Sequence, residues 1–160
     1  MTFVAKVLTV SDGVAEGVRE DKSGAALVAR LEAAGATVAE HTVTADGTDH
    51  VAHALRTMAR GFAGLVVTTG GTGFGPRDLT PEGTRAVIER DAPGLVEAIR
   101  RVSDADARGF GMLSRAVAGT LGQCLIVNTP GSAGGAIEAL EVILPVVPHA
   151  LDLLAGGHPH

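Results

Sequence analysis

"TTGGTGFGPRDLTPE", residues 68–82, follows directly on the apolar run Leu65-Val66-Val67. The run has the length and character of a buried strand. Thr80-Pro81-Glu82 has the character of a helix start, with proline at the first position and an acidic residue favouring the N-terminal dipole. Between them lie four glycines, Gly70, Gly71, Gly73 and Gly75, where a plain tight turn would need two. A glycine loop between strand and helix lets the backbone approach a ligand and aims N–H groups at an anion. No Gly-Lys-Ser/Thr follows, so this is not the usual mononucleotide loop, and Pro76 breaks the dinucleotide spacing that Gly71-x-Gly73 would begin. Arg77 can balance phosphate charge. Asp78 beside it would repel phosphates unless a cation such as Mg²⁺ lay between them. A capping role for Asp78 is the plainer alternative, weakened because Thr80-Pro81-Glu82 already supplies a helix start.

Outward from this stretch, strands are expected at 3–10, 37–44, 65–69 and 123–128. Helices are expected at 24–34, 49–60, from Thr80 onward, 93–102, 135–144 and 147–154. Residues 113–119 fit either a strand or a short helix. Strand and helix in alternation predict an α/β fold: a mainly parallel sheet with helices on both faces. Residues 1–155 are expected to form one domain and 156–160 a flexible tail. Ligands of such sheets bind outside the carboxyl ends of the strands. The expected strand exits are Ser11-Asp12-Gly13, Asp46-Gly47, the 70–78 loop and Thr129-Pro130-Gly131-Ser132, so these four loops should gather into one site.

Composition excludes several classes. A net charge of −5 and 2% aromatic residues, with no Trp or Tyr, argue against nucleic-acid binding. No window of about 20 apolar residues suggests a membrane span. The N-terminus lacks a basic head with an apolar core, and the single cysteine cannot staple the fold, so a reduced, cytoplasmic setting is expected. Cys124, inside an apolar run, is expected to be a small buried hydrophobe. His50 and His53, three apart on a helix, are expected on a solvated face rather than as metal ligands. Ser114 and Ser132 have no histidine at triad positions. Arg100-Arg101 should close a helix against its C-terminal dipole.

The quoted stretch also resembles a family signature, and three further stretches agree with it in order. These are "LTVSDGVAEGVREDKSG" (8–24), "MLSRAVAGTLGQCLIVNTPGSAGGAIEAL" (112–140) and "LPVVPHALDLL" (144–154). Together they resemble the molybdenum-cofactor biosynthesis family of MogA, MoaB and the gephyrin G domain. The resemblance implies a three-layer α/β fold, a homotrimer, and adenylylation of molybdopterin by Mg-ATP with release of pyrophosphate. Hand-over of the product to a molybdenum-inserting protein would follow. The family's two functional aspartates match Asp46 and Asp78, which would hold Mg²⁺. ATP phosphates would sit against Gly70, Gly71, Thr72 and Gly73, near Arg77. Ser11 and Asp12, with Asp21 and Ser23-Gly24, match the first family loop, and Ser11 and Asp12 are expected to contact molybdopterin. Ser114, Arg115, Pro130, Gly131 and Ser132 match segments lining the pterin side. One departure is Ala45-Asp46-Gly47, where members commonly carry Pro-Asp-Asp/Glu. The alternative is a non-catalytic molybdopterin-binding trimer of the MoaB branch. Both aspartates favour the enzyme, since passive pterin binding needs no acidic pair.

Overall fold

The computed structural model describes residues 2–103 and 109–158; Pro159 and His160 of the expected tail lie outside them. The chain runs β1 (Val4–Val10), α1 (Asp12–Ala15), α2 (Lys22–Ala33), β2 (Thr37–Thr44), α3 (Thr48–Ala59), β3 (Gly64–Thr69) and α4 (Thr80–Arg85). It continues through β4 (Arg90–Asp91), α5 (Pro93–Ser103), a 3-10 turn (Phe110–Leu113), β5 (Ala118–Leu121), β6 (Cys124–Thr129), α6 (Ala133–Ile143) and α7 (Val147–Leu154).

The six strands form one mixed sheet in the order β2-β1-β3-β6-β5-β4. β2, β1, β3 and β6 are parallel, and β5 and β4 pair antiparallel at the far edge. Three of the parallel strands are continuous apolar runs because both of their faces are buried. Alternation sorts them: Ala5, Val7, Leu65, Val67, Leu125 and Val127 meet α2, α5, α6 and α7 on one face. Leu8, Val10, Val66, Cys124 and Ile126 meet α3 on the other. The result is three layers. α4 closes on α3 because residue 83 is glycine: a Cβ there would stand 2.6 Å from that of Val51.

The ambiguous segment 113–119 divides. The 3-10 turn ends at Leu113, and β5 begins at Ala118, joined to β6 by a two-residue turn with Gly122 at φ 56°. Arg100 departs from its expected role. Rather than only closing α5, its guanidinium donates to the carbonyls of Ser114 (2.9 Å) and Ala116 (2.7 Å), holding the approach to β5.

Strand order places the site. From β1 the chain crosses to β2 on one side, then returns to β3 on the other. The carboxyl ends of β1 and β3 flank a topological switch point, where a crevice forms in open α/β sheets.

Candidate active site

The glycine loop leaves β3 at this crevice. Gly70 and Gly71 have φ of 99° and 67°, in the left-handed region that glycine enters without strain. Neither tolerates a side chain. A Cβ at Gly70 would lie 2.2 Å from the Val10 carbonyl, and one at Gly71 would lie 2.2 Å from the Thr80 hydroxyl. That hydroxyl donates to the Gly70 carbonyl (2.9 Å), so the loop folds back onto the first turn of α4.

Arg77 and Asp78 stand side by side yet reach in different directions. Arg77 donates through Nε and a terminal nitrogen to both carboxylate oxygens of Asp12 (3.0 and 3.1 Å), and to the Asp46 carbonyl (2.9 Å). Asp78 turns back into its own loop and accepts from the Gly75 N–H at 2.8 Å. It does not cap α4, whose N-cap is Leu79 with no side-chain bond.

Asp46 is held from two sides. The Asp12 N–H donates to its Oδ2 (2.8 Å), and the Asp46 N–H donates to Asp12 Oδ1 (3.0 Å). This reciprocal pair joins two strand-end loops that lie 34 residues apart in the chain. Burial pushes the Asp46 carboxyl above its ordinary value, and the nearby Asp12 and Asp78 carboxylates push in the same direction. Arg77 holds the Asp12 carboxyl below the usual range. His50 places Nδ1 3.0 Å from the Asp46 carbonyl and, like His53, is exposed, as expected of a solvated helix face.

Two clefts flank the glycine loop. The first, about 740 Å³, is lined by Ser11, Asp46, Gly70, Gly71, Asp78 and Gly131, by Arg19 and Asp21 from the α1–α2 connection, and by Lys22 at the start of α2. The second, about 510 Å³, is lined by Thr72, Gly73, Phe110, Leu113, Ser114 and Pro130. Ser132 belongs to both. The loops at 11–13, 46–47, 70–78 and 129–132 therefore converge. Asp46 and Asp78 share one cleft, and Gly131 lies against Gly70, its would-be Cβ 3.3 Å from that Cα.

Four of the residues matched to the pterin side stand apart from Ser114, Pro130 and Ser132. Ser11 and Gly131 line the first cleft and not the second. Asp12 is engaged by Arg77 and by the Asp46 N–H. Arg115 lines neither cleft. Its guanidinium donates to the carbonyls of Gly73 (2.8 Å) and Asp78 and pairs with Glu82, while its own N–H donates to the Thr72 carbonyl (3.0 Å). It ties the glycine loop to α4, and it lowers the Glu82 carboxyl below the usual range.

Among the described residues no group of three or more His, Cys, Asp or Glu is placed to hold a metal ion. Asp46 and Asp78 are nonetheless a set that suits magnesium, which takes one or two carboxylates together with waters and substrate phosphates. Each uses Oδ2 for a backbone N–H and leaves Oδ1 without a hydrogen bond among the described residues. Cys124 is fully buried, its thiol pushed up to about 12 by desolvation, and is no nucleophile. Among the described residues no helix is long and apolar enough to cross a membrane.

Residues 6–149 match a family model described as "Probable molybdopterin binding domain". The chain belongs to that family. A molybdopterin adenylyltransferase of Helicobacter pylori (strain J99) is 37% identical over 155 residues, covering 95% of this chain and 88% of that protein. A molybdenum cofactor biosynthesis bifunctional protein of Chlorobaculum tepidum is 37% identical over 153 residues, and this chain spans only 49% of its length. Among solved structures, the molybdopterin biosynthesis enzyme MoaB of Thermus thermophilus superposes with a TM-score of 0.87 at 42% identity, covering 96% of this chain and 97% of that one.

Some residues that shape the site escaped the reading of the sequence. Asn128, fully buried at the end of β6, accepts from the Val117 N–H and donates to the hydroxyls of Thr68 and Thr84, each at 3.0 Å. It locks β3, β6 and α4 beneath the glycine loop. A polar residue closing an apolar strand was the available signal. His41, on β2, reaches Asp21 at the rim of the first cleft, and nothing in the surrounding sequence marks it.

Proposed function

We propose that this chain transfers the adenylyl group of ATP to molybdopterin, a step of molybdenum cofactor biosynthesis. A terminal phosphate oxygen of molybdopterin attacks the α-phosphorus of ATP. The bond from that phosphorus to the bridging oxygen breaks, and pyrophosphate leaves. The observation that carries this reading is the pair of clefts on either side of one glycine loop, with Asp46 and Asp78 together in the first and Ser132 on the rim of both. Two substrates seated there would meet at the loop. The first cleft, with its acidic pair and glycine backbone, suits the triphosphate. The second, with Phe110, Leu113 and Pro130, suits a pterin ring, and Ser114 and Ser132 offer it hydroxyls. The likeness to the Helicobacter pylori adenylyltransferase over 88% of that protein supports the same reading.

Asp46 and Asp78 would hold Mg²⁺, which when bound neutralises phosphate charge and polarises the phosphoryl oxygens. The chain's own part is positional. Asp12 and Arg77 fix Asp46, Arg115 fixes the loop that carries Asp78, and the Gly70–Gly71 turn brings backbone close to the phosphates.

The test is pyrophosphate release from Mg-ATP by the purified protein, expected only when molybdopterin is supplied. Molybdopterin binding without any release would favour the alternative, a non-catalytic binding protein of the MoaB branch.

We further infer a homotrimer that works in the cytoplasm and passes its product to a molybdenum-inserting protein. Large apolar side chains left exposed, among them Val146 and Leu153 at the C-terminal helix, support association. A monomeric mass by light scattering at micromolar concentration would contradict it.

A further inference from the structure

The end of the α1–α2 connection and the first residue of α2, positions 19–22, line the first cleft together with Asp46 and Asp78; Glu20 brings a carboxylate there, and the two cations are uncommitted. Arg19 and, just beyond it, Lys22 line that cleft and are exposed. Neither makes a side-chain hydrogen bond or ion pair among the described residues. The other arginines around the glycine loop are engaged, Arg77 with Asp12 and Arg115 with Glu82.

Exposed cations are ordinarily solvated and mobile. This pair is carried on a segment that the fold holds in place. The Arg19 N–H donates to the Gly13 carbonyl (3.0 Å), and the Arg19 side chain lies across Gly13, whose would-be Cβ is 3.4 Å from that of Arg19. At the other end Asp21 takes three contacts. Its Oδ1 accepts from the Gly24 N–H (2.9 Å), while its Oδ2 accepts from the Thr9 hydroxyl (2.7 Å) and lies 2.9 Å from His41 Nε2. Only glycine fits at residue 24, since a Cβ there would lie 2.2 Å from Thr9 Oγ1 and 2.5 Å from His41 Nε2. Strands β1 and β2 thereby anchor the loop that presents the two cations.

We propose that Arg19 and Lys22 receive the β- and γ-phosphates of the nucleoside triphosphate, the portion that departs as pyrophosphate. His41 is a positioning residue that acts through Asp21. The inference rests on the adenylyl-transfer reading above. Its chemistry follows from charge: two carboxylates and one divalent cation leave a triphosphate tail short of positive charge, and pyrophosphate departs more readily where cations already receive it.

Calorimetric titration with Mg-ATP, inorganic pyrophosphate and AMP tests it, on wild type, the double variant Arg19→Gln/Lys22→Gln, and His41→Gln. Because both cations are exposed, the double variant should melt with the wild type. It should bind ATP and pyrophosphate about tenfold or more weakly, with AMP unchanged. His41→Gln should show part of the same loss, again sparing AMP. A double variant that binds ATP and pyrophosphate within about twofold of wild type, or that loses AMP as much as ATP, overturns the assignment. If His41→Gln weakens all three ligands alike, or none, its positioning role is overturned. A wild-type protein that binds neither ATP nor pyrophosphate overturns the adenylyl-transfer reading, and this inference with it.

Discussion

Arg115→Met separates two roles for one residue, because it removes the guanidinium while keeping most of the aliphatic stem. Lost are the bonds to the carbonyls of Gly73 and Asp78 and the ion pair with Glu82; the backbone bond to Thr72 stays. The Arg115 and Glu82 side chains are 32% and 40% exposed, so their ion pair contributes about 0–1 kcal/mol. The two bonds to carbonyls add about 1 kcal/mol each after exchange with water. The sum, about 2–3 kcal/mol, corresponds to a melting point lower by about 4–12 °C in a domain of this size. Glu82→Gln is the control, since it loses only the ion pair and should cost no more than about 1 kcal/mol. Release of the 73–78 loop should misplace Asp78, raising KM for Mg-ATP and lowering kcat while molybdopterin affinity holds. The assay is thermal unfolding beside separate titrations of the two substrates. Unchanged stability, with molybdopterin affinity lost and ATP affinity kept, would refute the argument and make Arg115 a direct pterin ligand.

Asp78→Asn keeps an oxygen for the Gly75 N–H, so the fold and molybdopterin binding should survive while turnover falls by orders of magnitude. Near-wild-type turnover at saturating Mg-ATP would remove Asp78 from the mechanism. Asp46 has a raised folded pKa, so its ionisation weakens the fold as pH rises through that value, and activity needing the carboxylate should fade on acidification sooner than an ordinary aspartate would impose. Asp46→Asn should therefore abolish turnover without lowering stability at neutral pH; earlier melting of that variant would contradict the assignment. Asn128→Val leaves the buried Val117 N–H without its acceptor and should cost about 2–4 kcal/mol in urea unfolding. A loss below about 1 kcal/mol would show that the network is dispensable.

The reading of the sequence reached the parallel strands and the long helices because their signals are local. β1, β3 and β6 are apolar runs between polar punctuation, and an element covered on both faces has to look that way. β4 and β5 carried no such signal. Arg90–Asp91 is two exposed residues, and Ala118–Leu121 is short and mixed; they are strands only because β6 offers an edge after the turn at Gly122. The same division runs through the site. Loops at strand ends converge by a rule of the fold class, so Asp46 and Asp78 could be placed together from sequence position.

Partners could not be assigned that way. Arg77 could balance a phosphate or a carboxylate with equal chemical sense, and only the packed chain brings Asp12 to it across 65 residues. Arg115 lies in a segment that matches the pterin side, and the bend before β5 turns it toward Gly73 and Glu82 instead. The sequence alone determined which runs must be buried and which loops share an edge, because periodicity and conformational preference act between near neighbours. The tertiary structure alone decided which charge meets which, because a hydrogen bond is set by distances of about 3 Å between atoms that no periodicity relates.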